Sequence, residues 1–158
     1  MNINFTPGPS QLYFTVETHM RQAFRDGVPS LSHRSKEFEN ISKEATLGLK
    51  ELLGIPDDFH IFFTGSATEI WERSIQNLVA NKSLHFVNGA FSKRYFEIAS
   101  QLGKHPVKIE AAGGQGFDSN FSAEKDIELI ALTHNETSTG VSLPLSFINQ
   151  FREKFPES

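Results

Sequence analysis

Gly65, Ser66, Ala67 and Thr68 follow the apolar run 60–64 and precede a helical pattern, so successive main-chain N–H groups there face the positive end of a helix. Small residues let an anion approach the main chain, and Ser66 and Thr68 add hydroxyl donors. The same spacing, with Glu69 three residues after Ser66, also describes an ordinary capping box. Asn88-Gly89-Ala90-Phe91-Ser92 lies just past a second apolar run, where the Phe91 ring could cover a planar ligand or join the core. His134-Asn135-Glu136-Thr137-Ser138-Thr139-Gly140 gathers seven residues of turn or ligand-holding chemistry at the end of a third. Turn closure needs one or two of them, so the length of the run favours a ligand. Ser32-His33-Arg34 offers a guanidinium fork suited to a carboxylate and a His donor beside it; the plainer reading pairs Arg34 with Glu37 or Glu39.

These four segments need elements to carry them. Residues 1–14, with Pro7-Gly8-Pro9-Ser10, read as an extended lead-in, and a helix is expected over about residues 15 to 26. Phe38, Ile41, Ala45, Leu49 and Leu52 recur at helical spacing until Gly54, a natural C-terminal cap. His60 to Thr64 reads as a short buried strand, followed by a helix beginning at Ser66. Further strands are expected at 84–87, 106–110 and 128–133, with helices near 92–102 and 145–154. Residues 111–123, with Gly113, Gly114 and Gly116, read as a mobile surface connection. Strand and helix alternate, so the fold class is α/β with a largely parallel sheet in three layers, and ligands are expected beyond the carboxyl ends of the strands.

Composition narrows the chemistry. With 158 residues, 38% hydrophobic, the chain has enough apolar material for one domain. Fifteen basic against nineteen acidic residues, without a basic cluster, argue against nucleic acid as a partner. The absence of cysteine excludes disulfides and zinc knuckles, and no metal site is expected. No run approaches membrane-spanning length and the start lacks a secretory pattern, so a cytoplasmic location is the expectation. No Walker loop and no Gly-x-Gly-x-x-Gly occurs, which disfavours nucleotides. An anion cup, an aromatic plate, a polar strand-end loop and an Arg anchor together match what pyridoxal phosphate requires. That cofactor also needs a Lys and usually an acid at its ring nitrogen, and no Lys here stands out for the role.

From Phe5-Thr6-Pro7-Gly8-Pro9-Ser10 through Ser32-His33-Arg34-Ser35-Lys36-Glu37-Phe38 to Thr137-Ser138-Thr139-Gly140, the sequence resembles the class V, fold-type I pyridoxal-phosphate aminotransferases, above all their phosphoserine branch. The resemblance implies that Gly65, Ser66, Ala67 and Thr68 hold the cofactor phosphate, Phe91 stacks on its ring and Thr137 bonds its 3-oxygen. It implies that His33 and Arg34 face the substrate, Arg34 taking its carboxylate. Two residues depart from that branch: Thr68 stands where its members carry an Arg, and Phe91 where they carry a Trp. The alanine-glyoxylate and serine-pyruvate branch is the alternative, supported by Gly65-Ser66-Ala67 and Glu136 to Val141. In the family the ring-nitrogen acid and the Schiff-base Lys come after the segment matching Thr137. No catalytic residue is therefore expected here, and residues 15–158 are read as the N-terminal part of the cofactor-binding domain. The implied reaction moves an amino group from glutamate to 3-phosphohydroxypyruvate in serine biosynthesis, in a homodimer with its site at the interface. A noncatalytic anion-binding module is the rival if the chain is complete.

Overall fold

The computed structural model describes residues 8, 10–118 and 126–155. Most of the expected lead-in, residues 1–7 and 9, lies outside the described residues, as do residues 119–125 of the connection expected at 111–123. The chain forms two compact units, Met1–Phe63 and Thr64–Ser158.

The first unit contains α1 (Val16–Arg25), a 3-10 turn (Val28–Ser30) and α2 (Lys36–Leu53). Ser35 caps α2, its Oγ accepting from Phe38 N at 3.2 Å. Gly54 closes the helix in the left-handed region at φ 62°, where a side chain would be strained, and Ile55 N bonds back to Lys50 O at 2.9 Å. Residues 60–64 overturn one expectation. They form no strand, and Phe62 and Phe63 are 80% and 65% exposed. An apolar run reports a preference for burial, whereas a strand exists only through ladder bonds to a neighbour, and 60–64 makes none among the described residues.

The second unit opens with α3 (Ala67–Leu78) and continues through β1 (Lys82–Val87), α4 (Ala90–Gln101), β2 (His105–Glu110), β3 (Leu129–Ala131), β4 (Asn135–Glu136), β5 (Val141–Ser142) and α5 (Leu145–Lys154). Strands β2, β1 and β3 form a parallel sheet in that order, with Leu84 opposite Val107 on one side and Ile130 on the other. Because β1 is central it is buried on both faces, which explains its nearly unbroken run of buried residues from Ser83 to Val87. Leu84 and Phe86 pack with Leu143, Phe147 and Phe151, so α5 covers one face of the sheet. Ser83 and His85 point to the other, where the His85 ring packs nearly perpendicular to those of Tyr95 and Phe96 of α4. There Ile75 and Val79 pack with Ala99, so α3 and α4 form the opposite layer. Each fully buried side chain such as Phe86 contributes about 1.5–3 kcal/mol. The core also contains a polar group: His85 is 1% exposed, its Nε2 is 2.9 Å from Ser83 Oγ, and burial lowers its pKa to about 4. It is therefore neutral at pH 7. Among the described residues no helix is long and apolar enough to cross a membrane.

Candidate functional site

Helix α4 starts immediately after the carboxyl end of β1, and the β4–β5 hairpin follows the carboxyl end of β3. Helix α3 lies beside α4 and runs parallel to it. Trp71 stacks on Tyr95 at 5.5 Å, Ser74 Oγ is 2.5 Å from Tyr95 Oη, and Val79 near the end of α3 packs in the cluster of Ala99 and Leu102. Contacts near the middle of both helices and a shared cluster at the end of both fix their common direction. Their N-termini, one carrying Ser66 and the other Phe91, therefore lie at the same edge of the sheet, beyond the strand ends.

At α3 the capping box forms with one variation. Ser66 Oγ accepts from Glu69 N at 3.2 Å, and Glu69 reaches back to Gly65 N at 3.0 Å, not to the amide of the cap itself. The amides of Ala67 and Thr68 belong to the first turn and have no acceptor within the helix. Gly65, Ser66, Ala67 and Thr68 are all exposed. This donor set suits a phosphate, with the Glu69 carboxylate as the adverse charge beside it.

At α4 the organising group is one that sequence reasoning missed. Glu136, fully buried at 0% exposure, reaches from β4 to the first turn of α4. Its Oε1 accepts from Phe91 N at 3.3 Å and Ser138 Oγ at 2.6 Å, and its Oε2 accepts from Ser92 N and Ser92 Oγ, each at 2.8 Å. Ser138 Oγ in turn accepts from Ala90 N at 2.8 Å. Burial alone would raise the pKa of Glu136, but the bonds from Ser138, Ser92 and Phe91 outweigh it and leave the carboxyl below the usual glutamate range. Gly89 makes room for this arrangement, since a Cβ there would collide with Glu136 and Ser138. Its φ of −174° is ordinary extended backbone, so the requirement is space alone.

The hairpin gives most of the run 134–140 structural work. Asn135 and Glu136 pair antiparallel with Ser142 and Val141, Gly140 turns at φ 73°, and the hydroxyls of Ser138 and Thr139 bond to Glu136. Turn and capping duties absorb most of the run and leave Thr137, exposed, between Glu136 and Ser138. Phe91 is 47% exposed. Its amide is tied to Glu136, the residue before Thr137, 45 residues later in the sequence. A local signal could have suggested the start of α4, because Ser92 sits at its third position and its Oγ accepts from Gly89 N. Nothing local marks Glu136. His33 and Arg34 are exposed residues of the first unit, between the 3-10 turn and α2; Arg34 N donates to Ser32 Oγ at 3.2 Å. Among the described residues no His, Cys, Asp and Glu cluster could hold a metal.

No family model matches the chain. Over 142 residues it is 30% identical to phosphoserine aminotransferase of Rhodococcus opacus, covering 87% of this chain and 36% of the relative. It is 29% identical to L-aspartate–glyoxylate aminotransferase of Paracoccus denitrificans, covering 92% of this chain and 38% of that one. The solved phosphoserine aminotransferase from Cytophaga hutchinsonii superposes with a TM-score of 0.90 at 53% identity, covering 96% of this chain and 42% of that one. An aspartate aminotransferase from Thermus thermophilus superposes with a TM-score of 0.78 at 28% identity, with the same coverage of 96% and 42%. The chain spans about two-fifths of the length of these four relatives, from 36% to 42%. In sequence and in fold it belongs to the pyridoxal-phosphate-dependent aminotransferases and corresponds to the N-terminal part of the phosphoserine aminotransferases it resembles.

Proposed function

We propose that this chain supplies the phosphate cup and ring platform of a pyridoxal-phosphate aminotransferase that makes phosphoserine from 3-phosphohydroxypyruvate, with glutamate as amino donor. The observation that carries the proposal is the alignment of the α3 and α4 N-termini at one sheet edge, in a chain 53% identical to a phosphoserine aminotransferase. In this reading Gly65, Ser66, Ala67 and Thr68 hold the cofactor phosphate with first-turn amides and two hydroxyls. The Phe91 ring covers one face of the pyridine, and Thr137 bonds its 3-oxygen. Arg34 takes the substrate carboxylate, with His33 as a further donor. Bound pyridoxal phosphate supplies an electron-withdrawing ring that stabilises negative charge at the substrate α-carbon. The residues named here grip, cover and orient; none of them exchanges the proton.

A homodimer is part of the proposal. It is supported by the apolar side chains exposed on and before α1, including Leu12, Phe14, Met20 and Phe24, which need a cover.

The test uses the intact protein. Thr68→Ala and Ser66→Ala should each weaken pyridoxal phosphate binding by about tenfold or more, the worth of one hydrogen bond to a charged group. Phosphoserine should surpass alanine as amino donor in the reverse direction. Unchanged cofactor affinity in both variants overturns the phosphate assignment, and equal or faster turnover of alanine overturns the substrate.

A further inference from the structure

The first amides of a helix are met by a local cap, by water or by a ligand, whereas in α4 a distant hairpin takes them. The amides of Ala90, Phe91 and Ser92 all point to hairpin side chains, the first to Ser138 Oγ and the others to Glu136. Ser138 also donates to Glu136, so a closed network joins the two elements. The residues on either side of Thr137 are thereby held against α4, and Phe91 is held by its own amide. Glu136 links these two positions directly, with one carboxylate oxygen accepting from the Phe91 amide and from the hydroxyl of Ser138, the residue following Thr137.

We infer that Glu136 is a positioning residue for the cofactor: its buried carboxylate bolts the β4–β5 hairpin to the start of α4, so that the Phe91 ring and the Thr137 hydroxyl are set at one fixed separation and tilt. The inference rests on the proposed function, because it takes Phe91 and Thr137 as the two cofactor contacts. It adds a division of labour between the helices. The N-terminus of α4 is closed by an internal anion, so the α3 N-terminus remains for an external one. It also assigns a purpose to Gly89, whose missing side chain leaves the carboxylate its path to the amides.

The geometry identifies the informative substitution. In Glu136→Gln one oxygen becomes an amide nitrogen, and whichever it replaces then faces a main-chain N–H that cannot turn away. In the intact protein loaded with pyridoxal phosphate, Glu136→Gln should weaken cofactor binding by about tenfold or more, as expected when a supporting group lets a contact drift by a fraction of an ångström. The circular dichroism of the bound cofactor should shrink, because its sign and size report ring tilt. Amide exchange at Ala90, Phe91 and Ser92 should accelerate even without cofactor. A control, Ile75→Ala, opens the core of the same unit; it should lower stability and leave the cofactor dichroism unchanged. If both variants change the dichroism alike, Glu136 is merely structural and the inference is overturned. Wild-type affinity and dichroism in Glu136→Gln overturn it as well. Should Glu136→Gln fail to fold, Ser138→Ala decides: weaker binding by a few-fold with altered dichroism supports the clasp, and no change refutes it. An unsubstituted protein that takes no pyridoxal phosphate defeats the proposed function, whereas the exchange measurement still reads the clasp alone.

Discussion

Gly89→Ala is the sharpest perturbation of this architecture, because one methyl group meets the centre of the network. The added Cβ would lie 2.5 Å from Ser138 Oγ and closer still to Cγ and Cδ of Glu136. Backbone strain plays no part, since φ is −174°, and reduced freedom of the unfolded chain would by itself stabilise the variant by about 0.4–1 kcal/mol. Against this, Glu136 is fully buried and can yield only by releasing the amides of Phe91 and Ser92. Each hydrogen bond to a charged group is worth about 1.5–3 kcal/mol, so two of them come to about 3–6 kcal/mol. The net expectation is a loss of about 2 to 5.5 kcal/mol, placing the variant among the strongly destabilising substitutions. Urea titration of the intact protein measures it, with the midpoint falling and the slope preserved. Hydrogen exchange should locate the damage at the start of α4 and in the hairpin. A loss below about 1 kcal/mol, or exchange unchanged at Ala90 to Ser92, would refute the reasoning that the network is rigid.

Three further expectations follow from other parts of the molecule. Gly48→Ala, in the interior of α2 with open space at the Cβ position, should stabilise the protein by about 0.5–1 kcal/mol in the same titration; a loss would mean that the helix is not as described. Glu69→Gln removes the carboxylate beside the α3 N-terminus and should tighten pyridoxal phosphate binding by about three- to tenfold at low salt, the gain fading as salt rises, whereas weaker binding would place the phosphate elsewhere. His85 is neutral in the fold, with a pKa lowered from 6.5 to about 4, so its stabilising contribution is complete above pH 6.5 and is lost as pH falls towards 4. That window is worth about 3 kcal/mol, and His85→Phe should flatten the stability profile between those limits; an unchanged slope would assign it to other groups.

The sheet and its layers were legible because their signals are local. β1 is an apolar run buried on both faces, α2 shows helical periodicity ending in a glycine with positive φ, and Ser66 and Glu69 announce the start of α3. His60 to Thr64 misled because its phenylalanines carry a preference for burial without specifying a ladder partner. The polar run at 134–140 was visible, but not the division within it. Glu136 looks like a solvated acid among polar neighbours until the chain brings the N-terminus of α4 against it, 44 residues away along the sequence. A long-range cap has no spacing rule, so only coordinates reveal it.

The most direct measurement is a cofactor-bound crystal structure of the intact protein. The phosphate is expected within hydrogen-bonding distance, about 2.7–3.2 Å, of the Ala67 and Thr68 amides, with the Phe91 ring over the pyridine and the Thr137 hydroxyl at its 3-oxygen. A phosphate seated at any other element, or a pyridine whose faces both avoid Phe91, would contradict this placement.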